Sequence, residues 1–220
     1  MNFRKAFSQS KPTALPFVVG LSIYTVVGIG VHIYFGKEQA HLLLNSWHSP
    51  YVDQFFKYVT HLGNGILPGF IFPILLLVRY SWALGLGLSS LAMGIVVQTL
   101  KRSVFAGDHR PAKFFQDGVL PTIDGVELML HHSFPSGHSA TAFCLFLMFA
   151  FFAKQRWATY LFAVVALLAV FSRVYISQHF IVDTIVGSWI GLILAYLGYL
   201  FIVRYAEENP SSKLNGKLWP

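Results

Sequence analysis

Six stretches of this chain contain no Asp, Glu, Lys or Arg: 12–36, 58–78, 80–100, 128–153, 157–172 and 184–203. A helix that spans a bilayer needs about 20 mostly apolar residues. The pattern therefore predicts an all-α membrane protein with six transmembrane helices in one bundle. The first third of the fourth stretch is His, Ser, Pro and Gly rather than hydrocarbon. The fifth is short, and Lys154, Arg156 and Arg173 are placed to snorkel from its ends. The first follows Arg4, Lys5 and Lys11, like the charged start of a signal peptide. Its apolar part is too long for one and lacks a small-residue cleavage site, so an uncleaved helix is expected.

The polar connections differ in character. Residues 37–57 carry Leu42, Leu43, Leu44, Trp47, Tyr51, Phe55 and Phe56 among polar neighbours. That spacing predicts a short amphipathic helix at the interface, between the first two spans. Residues 101–138 are rich in Gly, Pro, Asp and His, whereas the turns at Arg79 and at 154–156 are tight. The polar tail, 207–220, is expected to be mobile. Neither an internal repeat nor a low-complexity segment is present. A single membrane-embedded domain over 1–220 is expected, with its chemistry in 101–183.

Composition narrows the class. Hydrophobic residues make up 55% of the 220 and charged residues only 11%, against roughly 25% charged in soluble domains. Soluble, disordered and collagen-like chains are excluded. The net charge of +7 would suggest nucleic acid in a soluble protein. Here no nucleic acid is expected: basic residues orient the chain, meet anionic lipid headgroups or bind phosphate. Cys144 stands alone, so no intramolecular disulfide can form.

Six spans put connections 37–57, 101–138 and 173–183 on one face and the termini on the other. The terminal face holds nine basic residues: Arg4, Lys5, Lys11, Arg79, Lys154, Arg156, Arg204, Lys213 and Lys217. The loop face holds seven: Lys37, Lys57, Lys101, Arg102, Arg110, Lys113 and Arg173. Setting aside four of the seven for chemistry strengthens the bias. The positive-inside rule then puts the termini in the cytoplasm and the loops outside. The size of the chain suggests a bacterial inner membrane, with the active site on its periplasmic or outer face.

Three segments on the loop face carry chemistry. Lys101-Arg102 leads to Asp108-His109-Arg110-Pro111; Ser133 leads to Pro135-Ser136-Gly137-His138; Ser172-Arg173 leads to His179 and Asp183. Basic groups near hydrocarbon cost roughly 2.5–3.5 kcal/mol each on insertion scales, so their convergence implies an anion. Guanidinium groups bind phosphate bidentately. Pro135-Ser136-Gly137-His138 stands at a helix start, where free N–H groups and the dipole favour an anion. His179 and Asp183, four apart, would share a helix face, letting the carboxylate orient the imidazole. Two histidines, a carboxylate and several cations suit phosphoryl transfer: one His attacks phosphorus, the other protonates the leaving oxygen and then activates water.

The sequence resembles the type 2 phosphatidic acid phosphatase superfamily, integral-membrane lipid phosphatases related to vanadium haloperoxidases. Its Pro-Ser-Gly-His motif matches 135–138, and its Ser-Arg-x5-His-x3-Asp motif matches 172–183. The resemblance covers about 60–203. The Lys…Arg-Pro motif departs from the pattern, with eight residues between Lys101 and Arg110 rather than six. Lys101 or Arg102 fills the Lys role, and Lys101 is the assignment. The resemblance implies that His179 becomes a phosphohistidine, Asp183 orients it, and His138 is general acid and then base. Lys101, Arg110, Ser136, Gly137 and Arg173 bind the phosphate. No metal or other cofactor is implied.

Other polar residues have plainer explanations. His32, His41, His48 and His61 fit interfacial hydrogen bonding. His131 and His132 fit a structural role, headgroup contact or adventitious metal; His109 is left unassigned. A metal site among His131, His132, His138 and His179 is opposed by the nearby Arg and Lys. Asp108, Asp117, Asp124 and Glu127 fit turns or solvated loop positions, with headgroup discrimination as the alternative.

The expected activity is hydrolysis of a lipid phosphate monoester or diphosphate: a polyprenyl diphosphate, phosphatidic acid, phosphatidylglycerol phosphate or lipid A phosphate. The substrate lipid and the bilayer are the expected partners. A lipid-to-lipid phosphotransferase shares every feature. A non-enzymatic lipid carrier does not explain His138, His179 and Asp183.

Overall fold

The computed structural model describes residues 3–115, 119–121, 123–153 and 155–219, apart from the side chains of 3–9 and 11. Lys154 and Asp117 lie outside the described residues, as do the side chains of Arg4, Lys5 and Lys11. Regular structure among the described residues is helical, with one isolated bridge between His109 and His131.

Helix α1 (Phe3–Leu44) crosses a kink at Gly36, whose φ is 75°. Helix α2 (Pro50–Val59) runs into a 3-10 turn, Thr60–Gly63. Helices α3 (Leu67–Val78) and α4 (Tyr80–Thr99) form a hairpin about Arg79, and α4 continues as a π-helical turn, Leu100–Val104. The short α5 (Pro111–Phe114) follows Arg110. Helices α6 (Gly137–Ala153), α7 (Arg156–Tyr175) and α8 (Ile181–Gly198) complete the bundle. A π-helical turn, Tyr199–Arg204, leads from α8 into α9 (Tyr205–Glu208).

Four helical stretches are long and apolar enough to cross a membrane: Pro12–Leu44, Tyr80–Val104, Arg156–Tyr175 and Ile181–Glu208. The expected second span is broken instead. Pro50–Gly63 and Leu67–Val78 meet at 55° and count as one bent span at most. The break falls at Asn64-Gly65, where Asn64 Oδ1 accepts the Ile66 N–H (3.0 Å) in a side-chain turn that competes with the helix. The fourth stretch is helical only from Gly137, leaving 17 residues. Segment 37–57 is divided: its first part continues α1, and α2 starts at Pro50.

Helix α6 is the centre of the bundle. Its residues from Ser139 to Met148 are all buried, and it packs chiefly on α8 and α7. The α6–α8 crossing is close because Gly187 and Gly191, four apart on α8, present bare backbone. A Cβ on Gly187 would lie 2.2 Å from the Ser136 carbonyl oxygen, and one on Gly191 2.0 Å from that of Ala140. Small residues four apart are how membrane helices approach closely.

Large apolar side chains stand on the outer surface, with Val26, Ile33, Phe70, Leu91, Ile95 and Trp157 exposed. Such a surface is stable only in lipid, so the chain is an integral membrane protein. The tail, expected to be mobile, is docked on the α3–α4 hairpin. Tyr80 N–H donates to Gly216 O and Leu218 N–H to Leu76 O, each at 2.8 Å.

Candidate active site

The three motif segments meet at one end of α6. Ser136 precedes the helix, and its Oγ accepts from the Ser139 N–H (3.3 Å) and hydroxyl (2.9 Å). Its own N–H donates to Asp183 O at 2.9 Å, joining the second motif to the third. Where α7 ends, the N–H groups of Gln178 and His179 both donate to Arg173 O, at 3.0 and 3.1 Å. The chain thus folds back and delivers His179 just ahead of α8.

His179 and Asp183 do not share a helix face as expected. Helix α8 begins at Ile181, so His179 lies before it and Asp183 in its first turn. Asp183 Oδ2 accepts the Phe180 N–H at 3.1 Å, capping the helix start. It also accepts the Ser133 hydroxyl at 2.5 Å. His179 Nδ1 stands 3.4 Å from the same oxygen and makes no well-formed hydrogen bond among the described residues.

The basic residues are held in different ways. Lys101 lies on the π-helical turn and is buried, donating to His132 O (2.6 Å) and Ser133 O (3.4 Å). Arg102 is exposed. Single π turns inside helices recur at functional sites. Arg110 donates through Nε to His131 O (2.9 Å) and through Nη1 to Gln178 O and Oε1 (3.2 and 3.0 Å). Buried Arg173 donates to Thr60 Oγ1 at 2.6 Å, with Gln178 Oε1 3.5 Å from its Nη2. Its Nε has no hydrogen-bond partner among the described residues.

A cavity of about 250 Å³ has Lys101, Arg102, Arg110, His131, His132, Gly137, His138 and His179 on its wall. A second, of about 370 Å³, shares Arg110 and His138 and adds Lys57, His61, Glu127, Arg173 and Gln178. A third, of about 250 Å³, reaches His138 from Gly65, Met93, Gly94 and Val97. The third shares Gly65, Pro68 and Ser90 with an apolar groove of about 490 Å³ between α3 and α4.

Among the residues singled out from sequence, His138, His179, Lys101, Arg110 and Gly137 share the first cavity. Arg173 lines the neighbouring one. Ser136 and Asp183 are buried and absent from both walls. Sequence reasoning missed three partners. Ser133 and Gln178 sit inside the motif segments, next to assigned residues, which is a usable signal. Thr60 comes from a turn outside them and carries none.

Burial is the main influence holding His179 well below the ordinary histidine value, and Arg110, Arg173, Lys101 and His138 add to it. Its ring is therefore neutral at neutral pH, with a lone pair to give. Burial lowers Arg110 too, against the opposing pull of Asp183. At the exposed His131, Lys113 is the main cause of a lowered value. No group of three or more metal-ligating side chains is found among the described residues.

The fold and site define a helical membrane protein in which two histidines and several basic side chains line adjoining cavities. The PAP2 superfamily model matches residues 82–206, more than half of the chain. The chain belongs to the PAP2 superfamily, the phosphatase family its motifs resemble. It is 28% identical to phosphatidylglycerophosphatase B of Bacillus subtilis over 167 residues, 67% of this chain and 74% of that protein. The crystal structure of Aquifex aeolicus LpxE matches with a TM-score of 0.66 at 25% identity, over 75% of this chain and 95% of that one. The crystal structure of a transmembrane PAP2 type phosphatidylglycerolphosphate phosphatase from Bacillus subtilis shares the fold. Its TM-score is 0.60 at 22% identity, over 94% of this chain and 100% of that one.

Proposed function

We propose that the protein removes phosphate from a membrane lipid through a phosphohistidine on His179. One observation carries this reading: a single cationic cavity has both His138 and His179 on its wall and meets, at His138, a further cavity that shares Gly65, Pro68 and Ser90 with an apolar groove. The phosphatidylglycerophosphatase and phosphatidylglycerolphosphate phosphatase similar to this chain support the same class.

The phosphate lies among Lys101, Arg110, Arg173 and the Gly137 backbone, and Ser136 supports the loop from behind. His179 Nδ1 faces Asp183, which leaves Nε2 to attack phosphorus. As the N–P bond forms, the bond from phosphorus to the leaving oxygen breaks, and His138 protonates that oxygen. Asp183 stabilises the ring as it becomes cationic. The cations stabilise charge on the equatorial oxygens. His138 then takes a proton from water, whose oxygen displaces His179 and releases inorganic phosphate. No metal enters either step.

The hydrocarbon chain of the substrate occupies the groove between α3 and α4. A polyprenyl diphosphate, phosphatidic acid, phosphatidylglycerol phosphate or lipid A phosphate all suit this geometry. The broken span and α6 cross the bilayer with the four longer helices, making six, with the α2 end of the broken span near the interface. The three motif segments then face outward from a bacterial inner membrane, with the termini in the cytoplasm.

The test is phosphate release from this lipid panel by purified protein and by His179→Ala, with trapping of an acid-labile phosphoenzyme. Wild type releases phosphate with EDTA present and forms the adduct; the variant does neither. A full-strength adduct in His179→Ala refutes the nucleophile assignment. Activity lost to EDTA and restored by Zn²⁺ refutes the metal-free mechanism. Transfer to an added acceptor lipid without phosphate release makes the protein a phosphotransferase.

A further inference from the structure

Outside residues 82–206, α1 reaches the segment that carries His179. Lys37, His41 and Asn45 are spaced four apart, and residues so spaced stand in a row along a helix. The kink at Gly36 directs this last part of α1, and Asn45 continues its row just past Leu44. Together they touch segment 174–180 from its start to its end. Asn45 Nδ2 donates to the carbonyl oxygens of Val174 (3.2 Å) and Tyr175 (2.5 Å). Both carbonyls lie where α7 ends, and that of Val174 also accepts the Ser177 N–H at 3.0 Å. His41 Nε2 lies 3.4 Å from Ser177 Oγ, and its ring packs edge-on to Phe180 with centroids 5.2 Å apart. Lys37 Nζ stands over the Phe180 ring, 4.1 Å from its centroid. His41 and Asn45 are buried, and Lys37 is exposed.

This segment needs external support. Ser177, two residues before His179, has φ 54°. A residue with a Cβ holds that left-handed conformation only when its surroundings impose it. Relaxing it would redirect the backbone that delivers His179.

We propose that Lys37, His41 and Asn45 form a clamp that holds segment 174–180 in this strained conformation and so aims His179 at phosphorus. They are positioning residues and touch no substrate. The aiming role rests on His179 as the attacking group.

The test uses full-length protein with His41→Phe, Asn45→Ala, Lys37→Met or Lys37→Arg. Three quantities are read: single-turnover phosphoenzyme formation, steady-state kinetics, and amide hydrogen exchange across 174–180. Adduct formation and kcat are expected to fall about tenfold in His41→Phe and Asn45→Ala, with KM little changed, since small misplacements cost rate. Lys37→Met falls by about threefold, and Lys37→Arg, which keeps a cation over Phe180, recovers. Exchange across 174–180 speeds up in all but Lys37→Arg.

Ser177→Gly is the deciding arm. Glycine takes φ 54° freely, so adding it to His41→Phe is expected to restore at least half of the lost rate. A His41→Phe enzyme as fast as wild type, or a loss that Ser177→Gly leaves untouched, overturns the clamp. If the buried variants do not fold, exposed Lys37 decides: unchanged rate and exchange in Lys37→Met overturn it. Exchange reads the clamp even if His179 is not the nucleophile, whereas an adduct formed by His179→Ala overturns that assignment alone.

Discussion

Gly94→Leu separates lipid recognition from phosphate chemistry. Gly94 lies on α4, on the wall of the cavity that reaches His138, and a Cβ placed there meets nothing within 4 Å. A leucine side chain therefore fills the cavity rather than colliding with its wall. It displaces roughly four carbons of a bound chain; at about 0.8 kcal/mol per buried methylene, the loss is about 3 kcal/mol. That is roughly a hundredfold in kcat/KM. The helix itself gains about 0.5–1 kcal/mol, because glycine is a poor helix former. The assay compares kcat/KM for a long-chain lipid phosphate and a short water-soluble phosphate ester, beside thermal unfolding in detergent. The long-chain value is expected to fall about a hundredfold, with the short ester little affected and the unfolding temperature equal or higher. Equal losses on both substrates would mean that leucine disturbs His138. No loss on either would remove this cavity from the lipid path.

Ser133→Ala removes the hydroxyl that Asp183 accepts at 2.5 Å; kcat is expected to fall about tenfold with KM steady, as steady-state kinetics will read. Gly191→Ala forces a Cβ to within 2.0 Å of the Ala140 carbonyl oxygen; overpacking of about 1–3 kcal/mol should lower the unfolding temperature by several degrees. His179 couples stability to pH because its folded-state value lies below the ordinary 6.5. The unfolded chain takes up a proton that the folded one refuses, so its contribution is complete above pH 6.5 and is lost as pH falls below it. His179→Asn should lose less stability on acidification than wild type, and equal losses in thermal unfolding would refute this.

The membrane class could be read from sequence because charge-free runs near helical spanning length reflect a solvent requirement, which acts on each segment separately. Element boundaries were less readable. The run 58–78 satisfies hydropathy throughout, yet the Asn64-Gly65 turn breaks it. Apolar composition does not register one side chain that satisfies the backbone locally. His179 and Asp183 show the same limit: their spacing fits a helix face, but α8 begins between them. The carboxylate caps that helix by binding the Phe180 N–H.

The site divides along similar lines. His138, His179, Lys101 and Arg110 stood out because histidines and cations beside hydrocarbon are costly unless they serve chemistry. That cost is visible in composition and motif spacing. Ser133, Gln178 and Thr60 did not stand out, because Ser, Thr and Gln occur in any loop. Their importance lies in which charged group they meet, and each meets one distant in sequence or across a fold-back. The row Lys37, His41, Asn45 has helical spacing, but the hydrogen-bond partners of His41 and Asn45 lie some 130 residues further on. Local pattern was thus enough for the solvent and the chemical class. Bundle packing determined which side chains reach a common cavity, which stand behind its wall and what holds them. Those relations depend on long-range contacts such as the close crossing of α6 and α8 at Gly187 and Gly191, which no window of sequence contains.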